Sequence, residues 1–191
     1  MKSTTIAAIS TPPGNGGIGI VRLSGSQSVP IVTTLFRRTQ PREKKRQKEP
    51  LASHRFYHGK ILDPDTQEII DEVLVVVMLA PRSYTREDVV EIHSHSGSVV
   101  MGKIYEKVID AGATIAEPGE FTRRAFLNGR IDLTQAEAVV DIINAKTGTA
   151  LKIANRQLAG GLTEKLTSIR ASLLEICAFI EVSIDFSDHA H

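Results

Sequence analysis

The hydrophobic pattern changes character partway along this chain of 191 residues. From residue 150 the apolar residues recur at intervals of three and four, which predicts a long amphipathic helix. They are Leu151, Ala154, Leu158, Leu162, Leu166, Ile169, Leu173, Ile176 and Ile180. Gly160 and Gly161 interrupt the pattern and predict a kink or a break. Such a stripe must be buried against other helices. We therefore expect a helical bundle that residues beyond 191, or another chain, complete.

The first half instead alternates short apolar strands with turns. We predict strands over 4–10, 19–23, 56–62, 71–79 and 88–95, and helices from 26 or 28 to about 37 and over roughly 99–110. Ser26 and Ser28 are candidate N-caps, and the valines of 73–79 are typical of a strand buried on both faces. The prediction is an α+β fold, with a mixed-sheet domain over 1–119 and an incomplete helical bundle over 120–191.

Two local signals mark the start of the second domain. FTRRAFLN, residues 121–128, predicts a short helix that ends at Asn128 and Gly129. Asp132 precedes Gln135 by three residues, which is an Asp variant of the capping box. It predicts a helix over LTQAEAVVDIINA.

Composition narrows the class of protein. With 41% hydrophobic and 24% charged residues, the chain is typical of a soluble globular protein. No apolar run reaches the roughly 18 residues that span a bilayer, and the N-terminus lacks a signal peptide. We expect a cytoplasmic protein that does not contact a membrane. The single cysteine, Cys177, excludes an internal disulfide, and its apolar helical context predicts a buried thiol.

Charge is concentrated in one segment. Residues 37–48, RRTQPREKKRQK, carry seven basic residues and one acidic residue, although the net charge of the chain is only +1. The segment is interpreted either as a contact for a polyanion such as RNA or as a solvated loop. No aromatic residues lie among the charges to stack on bases, which favours the loop.

The glycines Gly14, Gly16 and Gly19 match the pattern G-x-G-x-x-G. A dinucleotide-binding loop also needs a helix after the last glycine and an acidic residue about 20 positions on. The sequence after Gly19 is IVRLSG, which predicts a strand, and Thr39 stands at the acidic position. No G-x-x-x-x-G-K-[ST] motif occurs either. The glycines are therefore interpreted as a turn between two strands.

A polar face is predicted on the strand DVVEIHSH. Alternation places Val89, Glu91, His93 and His95 on one side of it. Three readings stay open: a metal site made of two histidines and a carboxylate, a pocket wall in which Glu91 accepts paired N–H donors, or an exposed face at the edge of a sheet.

Two arginines are further candidates for binding. Arg22 shares its predicted strand face with Ile18 and Ile20, so it needs an anionic or carbonyl partner if it is buried. That partner is either Glu91 or a ligand. Arg130 lies between a turn and a helix N-terminus, and nothing local defines its role.

Three stretches carry a family resemblance: TPPGNGGIGIVRLSG at 11–25, SYTREDVVEIHSHSG at 83–97, and PGEFTRRAFLNGRIDLTQAEAVVDIINA at 118–145. Together they resemble the N-terminal part of the tRNA-modification GTPases called MnmE or TrmE. The resemblance covers nearly the whole chain and is least distinctive over 37–70.

The resemblance implies a homodimeric domain that binds a tetrahydrofolate, 5-formyl-tetrahydrofolate in its stable form. Its fold is similar to that of the folate-binding domains of aminomethyltransferases. The family's folate contacts fall on Arg22, Glu91 and Arg130, although lysine is common at the third position. With the flavoprotein MnmG, also called GidA, the full-length protein adds an aminomethyl-type group to C5 of the wobble uridine of tRNA.

The resemblance also implies which activities this chain is not expected to have by itself. The family's GTP-binding domain, which depends on magnesium and potassium, and its C-terminal cysteine are not expected in these 191 residues, so the chain is not expected to hydrolyse GTP or modify tRNA unaided. His93 is not part of the family pattern. Three other functions remain: a dimerisation scaffold without folate affinity, an independent folate-dependent transferase, and RNA binding by the basic segment.

Overall fold

The computed structural model describes residues 4–14, 16–39 and 50–185. They form two compact units, which divide between Arg130 and Ile131. The sequence pattern predicts a change of domain at residue 120. The structure differs because the helix after Gly119 makes its buried polar contacts with the sheet unit, as described below.

The described part of the first unit contains a seven-stranded sheet. Its strands are β1 (Ile6–Ile9), β2 (Gly19–Ser24), β3 (Phe36–Arg38), β4 (Arg55–Leu62), β5 (Ile69–Met78), β6 (Val89–Ser94) and β7 (Thr114–Ile115). They lie in the order β3-β4-β5-β6-β2-β1-β7. The β1–β7 pair is parallel and the other neighbouring pairs are antiparallel. The expected α+β fold with a mixed sheet is confirmed.

One face of the sheet forms the core with helices α1 (Ser28–Leu35) and α2 (Ser98–Asp110). The register aligns Val21, Ile92 and Val75 across β2, β6 and β5, and all three are fully buried. Because side chains alternate along a strand, the next register row points to the opposite face. On that face Leu74 is 43% exposed, so the prediction that β5 is buried on both faces is wrong at this residue.

The start of α1 also differs from expectation. Gln27 occupies the N-cap position and no side chain caps the helix. Ser28 lies inside the helix and is fully buried, so the serine caps predicted from the sequence are not formed. The helix ends at Leu35 because Phe36 is extended and pairs with Ile61 of β4.

The glycine-rich segment before β2 is shaped by packing. A side chain at Gly19 would overlap the thioether of Met101 on α2. The backbone N–H of Gly16 donates to Ser96 Oγ at 2.6 Å, which ties the turn to the segment after β6. Gly19 therefore allows α2 to pack closely on the sheet.

After α3 (Glu120–Leu127), the second unit contains α4 (Leu133–Asn144), α5 (Gly148–Leu158) and α6 (Gly161–Asp185). The capping box is present: Asp132 Oδ1 accepts from the Gln135 N–H at 2.8 Å, and Gln135 Oε1 accepts from the Asp132 N–H at 2.9 Å. Gly160 has φ +91° and separates α5 from α6. The predicted capping box and helix break are both confirmed.

Helix α6 has no buried residue. Cys177 on this helix is exposed, so the buried thiol expected from the apolar pattern is wrong. The reason is that the apolar stripe of α6 lies uncovered within the described residues, including Ile169, Leu173 and Ile176. None of the helices over 4–14, 16–39 and 50–185 is long and apolar enough to cross a bilayer.

Candidate functional site

Arg22 and Glu91 form an ion pair on the sheet face opposite α1 and α2. They are direct register partners on β2 and β6. Arg22 Nε donates to Glu91 Oε1 at 2.8 Å, and the side chains are 30% and 15% exposed. A half-buried carboxylate is stabilised by such a partner. Of the two partners considered for Arg22, the structure places Glu91 in contact with it.

The second oxygen of Glu91 is also engaged. His93 Nε2 lies 3.1 Å from Glu91 Oε2. The imidazole makes an edge contact with the ring of Phe56, with centroids 5.5 Å apart. Glu91 therefore contacts a guanidinium through one oxygen and an imidazole through the other. These two contacts orient its carboxylate.

Two alternatives for this strand can be compared with the structure. Strand β6 lies between β5 and β2, so the interpretation as a sheet edge is wrong. His95 turns away from Glu91 and contacts Asp71, with Nδ1 2.8 Å from Oδ1. Among the residues that the structure describes, no group of three His, Cys, Asp or Glu side chains could hold a metal ion.

Helix α3 brings aromatic and cationic groups to the same region. The Phe121 ring lies 5.7 Å from the Arg22 guanidinium. Its neighbour Thr122 hydrogen-bonds the hydroxyl of Tyr84 at 2.9 Å. The Arg130 guanidinium lies 4.8 Å from the centroid of the Tyr84 ring. Arg22 and Glu91 therefore touch directly, whereas Arg130 is connected to them through Tyr84 and α3.

A buried cluster of charges attaches α3 to the sheet. Arg124 Nη1 donates to Glu87 Oε2 at 3.0 Å, and Nη2 donates to Glu120 Oε1 at 2.9 Å. The Arg124 and Glu120 side chains are only 10% and 9% exposed. Glu87 Oε2 also accepts from Ser24 Oγ at 2.8 Å, and Ser24 lies two residues after Arg22 on β2. The cluster thus positions α3 beside the Arg22–Glu91 pair.

Glu120 has a lowered pKa in this cluster. Burial alone raises the pKa of the carboxyl, but the Glu117 N–H and the guanidinium groups of Arg124 and Arg123 outweigh burial and lower it. A carboxyl whose folded pKa is below its unfolded value, about 4.3, stabilises the fold above that pH. That stabilisation is lost as the pH falls through the folded pKa.

We therefore expect the difference in unfolding free energy between the wild type and Glu120→Gln to be largest at pH 7 and to shrink below about pH 4. Urea unfolding at pH 7, 5, 4 and 3 measures it. Glu106→Gln, on the exposed face of α2, is the control and is expected to change stability little at any of these pH values. A difference for Glu120→Gln that stays constant with pH would contradict the assignment.

The contacts of Phe121, Tyr84 and Arg124 are not among those predicted from the sequence. One signal was available for Arg124, because Glu120 precedes it by four residues on the predicted helix. No local pattern pairs Arg124 with Glu87, or Tyr84 with Arg130, since these contacts join segments about 40 residues apart.

The basic segment begins at a different part of the unit. Arg37 Nη1 donates to the carbonyls of Thr33 and Thr34 at the end of α1, and Arg38 stacks on Tyr57 at 4.3 Å. Both arginines line a groove of about 990 Å³ to which Arg22, Glu91 and Arg130 do not contribute. Residues 40–48 of the predicted segment lie outside the described residues.

Two family models match this chain, and the boundary between them lies close to the boundary between the two structural units. Residues 5–130 match the family model described as the GTP-binding protein TrmE N-terminus, and residues 133–191 match the MnmE helical domain. The chain is similar to the proteins named tRNA modification GTPase MnmE in several bacteria. The relative from Carboxydothermus hydrogenoformans is 54% identical over 189 residues, which cover 99% of this chain and 40% of the relative.

Two more relatives show similar sequence identity and similar coverage of both chains. The protein from Syntrophobacter fumaroxidans is 53% identical over 96% of this chain and 38% of its own length. That from Lactiplantibacillus plantarum is 49% identical over 97% of this chain and 38% of its own length. The chain thus spans about 40% of the length of these relatives. By both family models and by these identities, the chain belongs to the family of tRNA modification GTPases called MnmE or TrmE.

Proposed function

We propose that the first unit binds a tetrahydrofolate, 5-formyl-tetrahydrofolate in its stable form, on the sheet face that carries Arg22 and Glu91. The observation that supports this most strongly is the half-buried carboxylate of Glu91, held by Arg22 at 2.8 Å beside the Phe121 ring. Pockets for small ligands typically combine apolar or aromatic walls with a few placed polar groups.

The residues present fit such a ligand. A pterin ring presents an amine and a ring N–H side by side, and a carboxylate accepts two parallel hydrogen bonds. Each oxygen of Glu91 contacts one protein group, Arg22 or His93. Since a carboxylate has about four acceptor positions, it retains capacity for further donors. The ring of Phe121, 5.7 Å from the Arg22 guanidinium, offers an apolar surface beside the arginine of the pair.

In this proposal Glu91 holds the pterin, Arg22 orients Glu91 and contacts the ligand, and Arg130 meets the more distant part of the ligand. When it is bound, the folate supplies a one-carbon unit. The protein groups at this site bind and orient the ligand, and we propose no nucleophile or general base among them.

The proposal for the activity of the full-length protein rests on the membership of this chain in the MnmE or TrmE family. We propose that the full-length protein acts in the cytoplasm as a homodimer and, with the flavoprotein MnmG, adds a (carboxymethyl)aminomethyl group to C5 of the wobble uridine of tRNA. Its GTPase activity depends on magnesium and potassium. No phosphate-loop motif G-x-x-x-x-G-K-[ST] occurs within the 191 residues. The contribution proposed for this chain is therefore folate binding and dimerisation.

Calorimetric titration of the 191-residue chain with 5-formyl-tetrahydrofolate tests the proposal. We expect saturable binding with about one site per chain, and at least tenfold weaker binding by Arg22→Ala, because this variant removes a charged hydrogen-bonding partner. Arg55→Ala, an exposed arginine at the start of β4, is the matched control and should bind like the wild type. Equal binding by both variants would exclude Arg22 from the site.

One observation favours a second function, a dimerisation scaffold without folate affinity. Both oxygens of Glu91 already have protein partners, so the polar groups of this face can be satisfied without a ligand. If the chain acts only as a scaffold, calorimetric titration of the folded dimer with 5-formyl-tetrahydrofolate gives no heat of binding. Sedimentation of the same sample determines whether the dimer is present.

A further inference from the structure

Arg86 adopts a backbone conformation that is unusual for an arginine. It lies in the loop between β5 and β6 with φ +58°, in the left-handed region where glycine is unstrained. Residues held in this region by their surroundings occur often at ligand sites.

The side chain of Arg86 is directed to the turn after α3. Its Nη1 donates to the carbonyl of Asn128 at 3.1 Å. The same atom lies 3.5 Å from the position that a Cβ on Gly129 would occupy. Asn128 in turn donates from Nδ2 to the carbonyl of Thr85 at 2.6 Å. The loop and the turn are thus bound to each other, and Arg86 lies at their junction.

Arg130 belongs to the same junction. It follows Gly129 directly, and its guanidinium lies over the ring of Tyr84, two residues before Arg86. Both arginines are exposed. Two guanidinium groups therefore flank the turn formed by residues 128–130.

This pair of cations has no carboxylate partner among the residues that the structure describes. Neither Arg86 nor Arg130 forms an ion pair there. Of the nearest acidic residues along the chain, Glu87 pairs with Arg124, and Asp88 accepts from the Ala80 N–H at 2.9 Å. A guanidinium that forms no ion pair within the protein is available to bind an anion.

We propose that Arg86 and Arg130 form a carboxylate-binding pair that holds the acidic tail of the folate. The inference rests on the proposed function. The glutamate tail of a folate carries two carboxylates, and a guanidinium donates two parallel hydrogen bonds to each such group. Arg130 connects to Arg22 through Tyr84, Thr122 and Phe121. These contacts link the pair to the Arg22–Glu91 site, and in this proposal the folate tail extends along them.

The test compares two ligands that differ only in the tail. One is 5-formyl-tetrahydrofolate, and the other is the corresponding 5-formyl-tetrahydropteroate as its neutral amide, which lacks both glutamate carboxylates and has no free carboxylate in their place. The 191-residue chain is titrated calorimetrically with each at low ionic strength, since salt screens exposed charges. The variants are Arg86→Gly, which removes both the charge and the strained backbone, Arg86→Gln, which removes the charge alone, and Arg82→Gln as a control in the same loop.

We expect both Arg86 variants to weaken binding of the glutamate-bearing ligand about tenfold and to leave binding of the pteroate amide unchanged. Arg82→Gln should bind both ligands like the wild type. We also expect Arg86→Gly to be at least as stable as the wild type in urea, because the left-handed conformation no longer costs free energy.

The outcomes that overturn the inference are distinct. If the wild type binds neither ligand, the proposed function and this inference both fail. If the wild type binds both ligands with equal affinity, or if the Arg86 variants weaken both equally, folate binding stands and the tail site is rejected. If the Arg86 variants keep their folate affinity and instead lose affinity for tRNA, the pair binds phosphates rather than the folate tail.

Discussion

Arg124→Met is expected to lower the free energy of unfolding of the first unit by about 3 kcal/mol. The guanidinium bridges Glu87 and Glu120 at 3.0 and 2.9 Å, and its removal leaves two carboxylates without their shared cation. Both carboxylates are largely buried, with side chains 16% and 9% exposed. An uncompensated buried charge costs far more than a lost surface pair. Urea unfolding followed by circular dichroism at pH 7 measures the loss.

Arg123→Met is the matched control. It removes the same type of side chain from the neighbouring position of α3, and Arg123 also contacts Glu120, at 3.6 Å. Its side chain is 56% exposed, so we expect a loss below about 1 kcal/mol. Adding Glu87→Gln to Arg124→Met should recover part of the lost stability, because one of the two carboxylates that faced Arg124 is then neutral. Equal losses for Arg123→Met and Arg124→Met would show that the cluster does not anchor α3.

The second large effect is on ligand affinity. Glu91→Gln is expected to weaken binding of 5-formyl-tetrahydrofolate about thirtyfold, equivalent to about 2 kcal/mol. The glutamine keeps the shape of the side chain but replaces one acceptor by a donor, so it can no longer accept both N–H groups of a pterin. Arg22 also loses its counter-ion, the Glu91 carboxylate 2.8 Å away. Calorimetric titration at constant pH measures the change.

Glu72→Gln provides the comparison for this variant. Glu72 lies on β5 and pairs with His58 at 2.6 Å, so it also belongs to a histidine–carboxylate pair, but its side chain is 54% exposed. We expect its folate affinity to match that of the wild type. Unfolding curves of both variants separate loss of binding from loss of structure. If Glu91→Gln is stable and binds as tightly as the wild type, Glu91 is not the group that recognises the pterin.

Local patterns in the sequence were sufficient to predict the longer elements. Alternation and turn signals located β2 and β4–β6, and the Asp132–Gln135 spacing located the start of α4. The strands β3 and β7 were missed because they have only three and two residues. So short a strand carries no periodicity of its own, and it exists because a neighbour pairs with it, as Ile61 does with Phe36.

Only part of the candidate site could be predicted from the sequence, because local patterns define strand faces but not contacts between distant segments. Alternation put Arg22 and Glu91 on defined strand faces, and their contact required only that β2 and β6 be neighbours. The role of Arg124 depends on how α3 lies against the loop that carries Glu87, which no spacing within either segment encodes. The exposure of Cys177 was mispredicted because an apolar stripe indicates which side of a helix avoids water, but not whether the described residues cover it.

Because Gly160 separates α6 from α5, α6 forms a long arm whose direction depends on the attachment of its first turn. Its first turn is attached through Thr163, whose hydroxyl donates to Asp132 Oδ2 at 2.6 Å. The helix then continues to Asp185 for a total of 25 residues, which is about 37 Å at 1.5 Å per residue. A rotation of only about 10° at the glycine would displace the far end by roughly 6 Å. The hydrogen bonds of Thr163 to Asp132 and Thr134 therefore orient the helix at its first turn, where a small change in angle is amplified along its whole length.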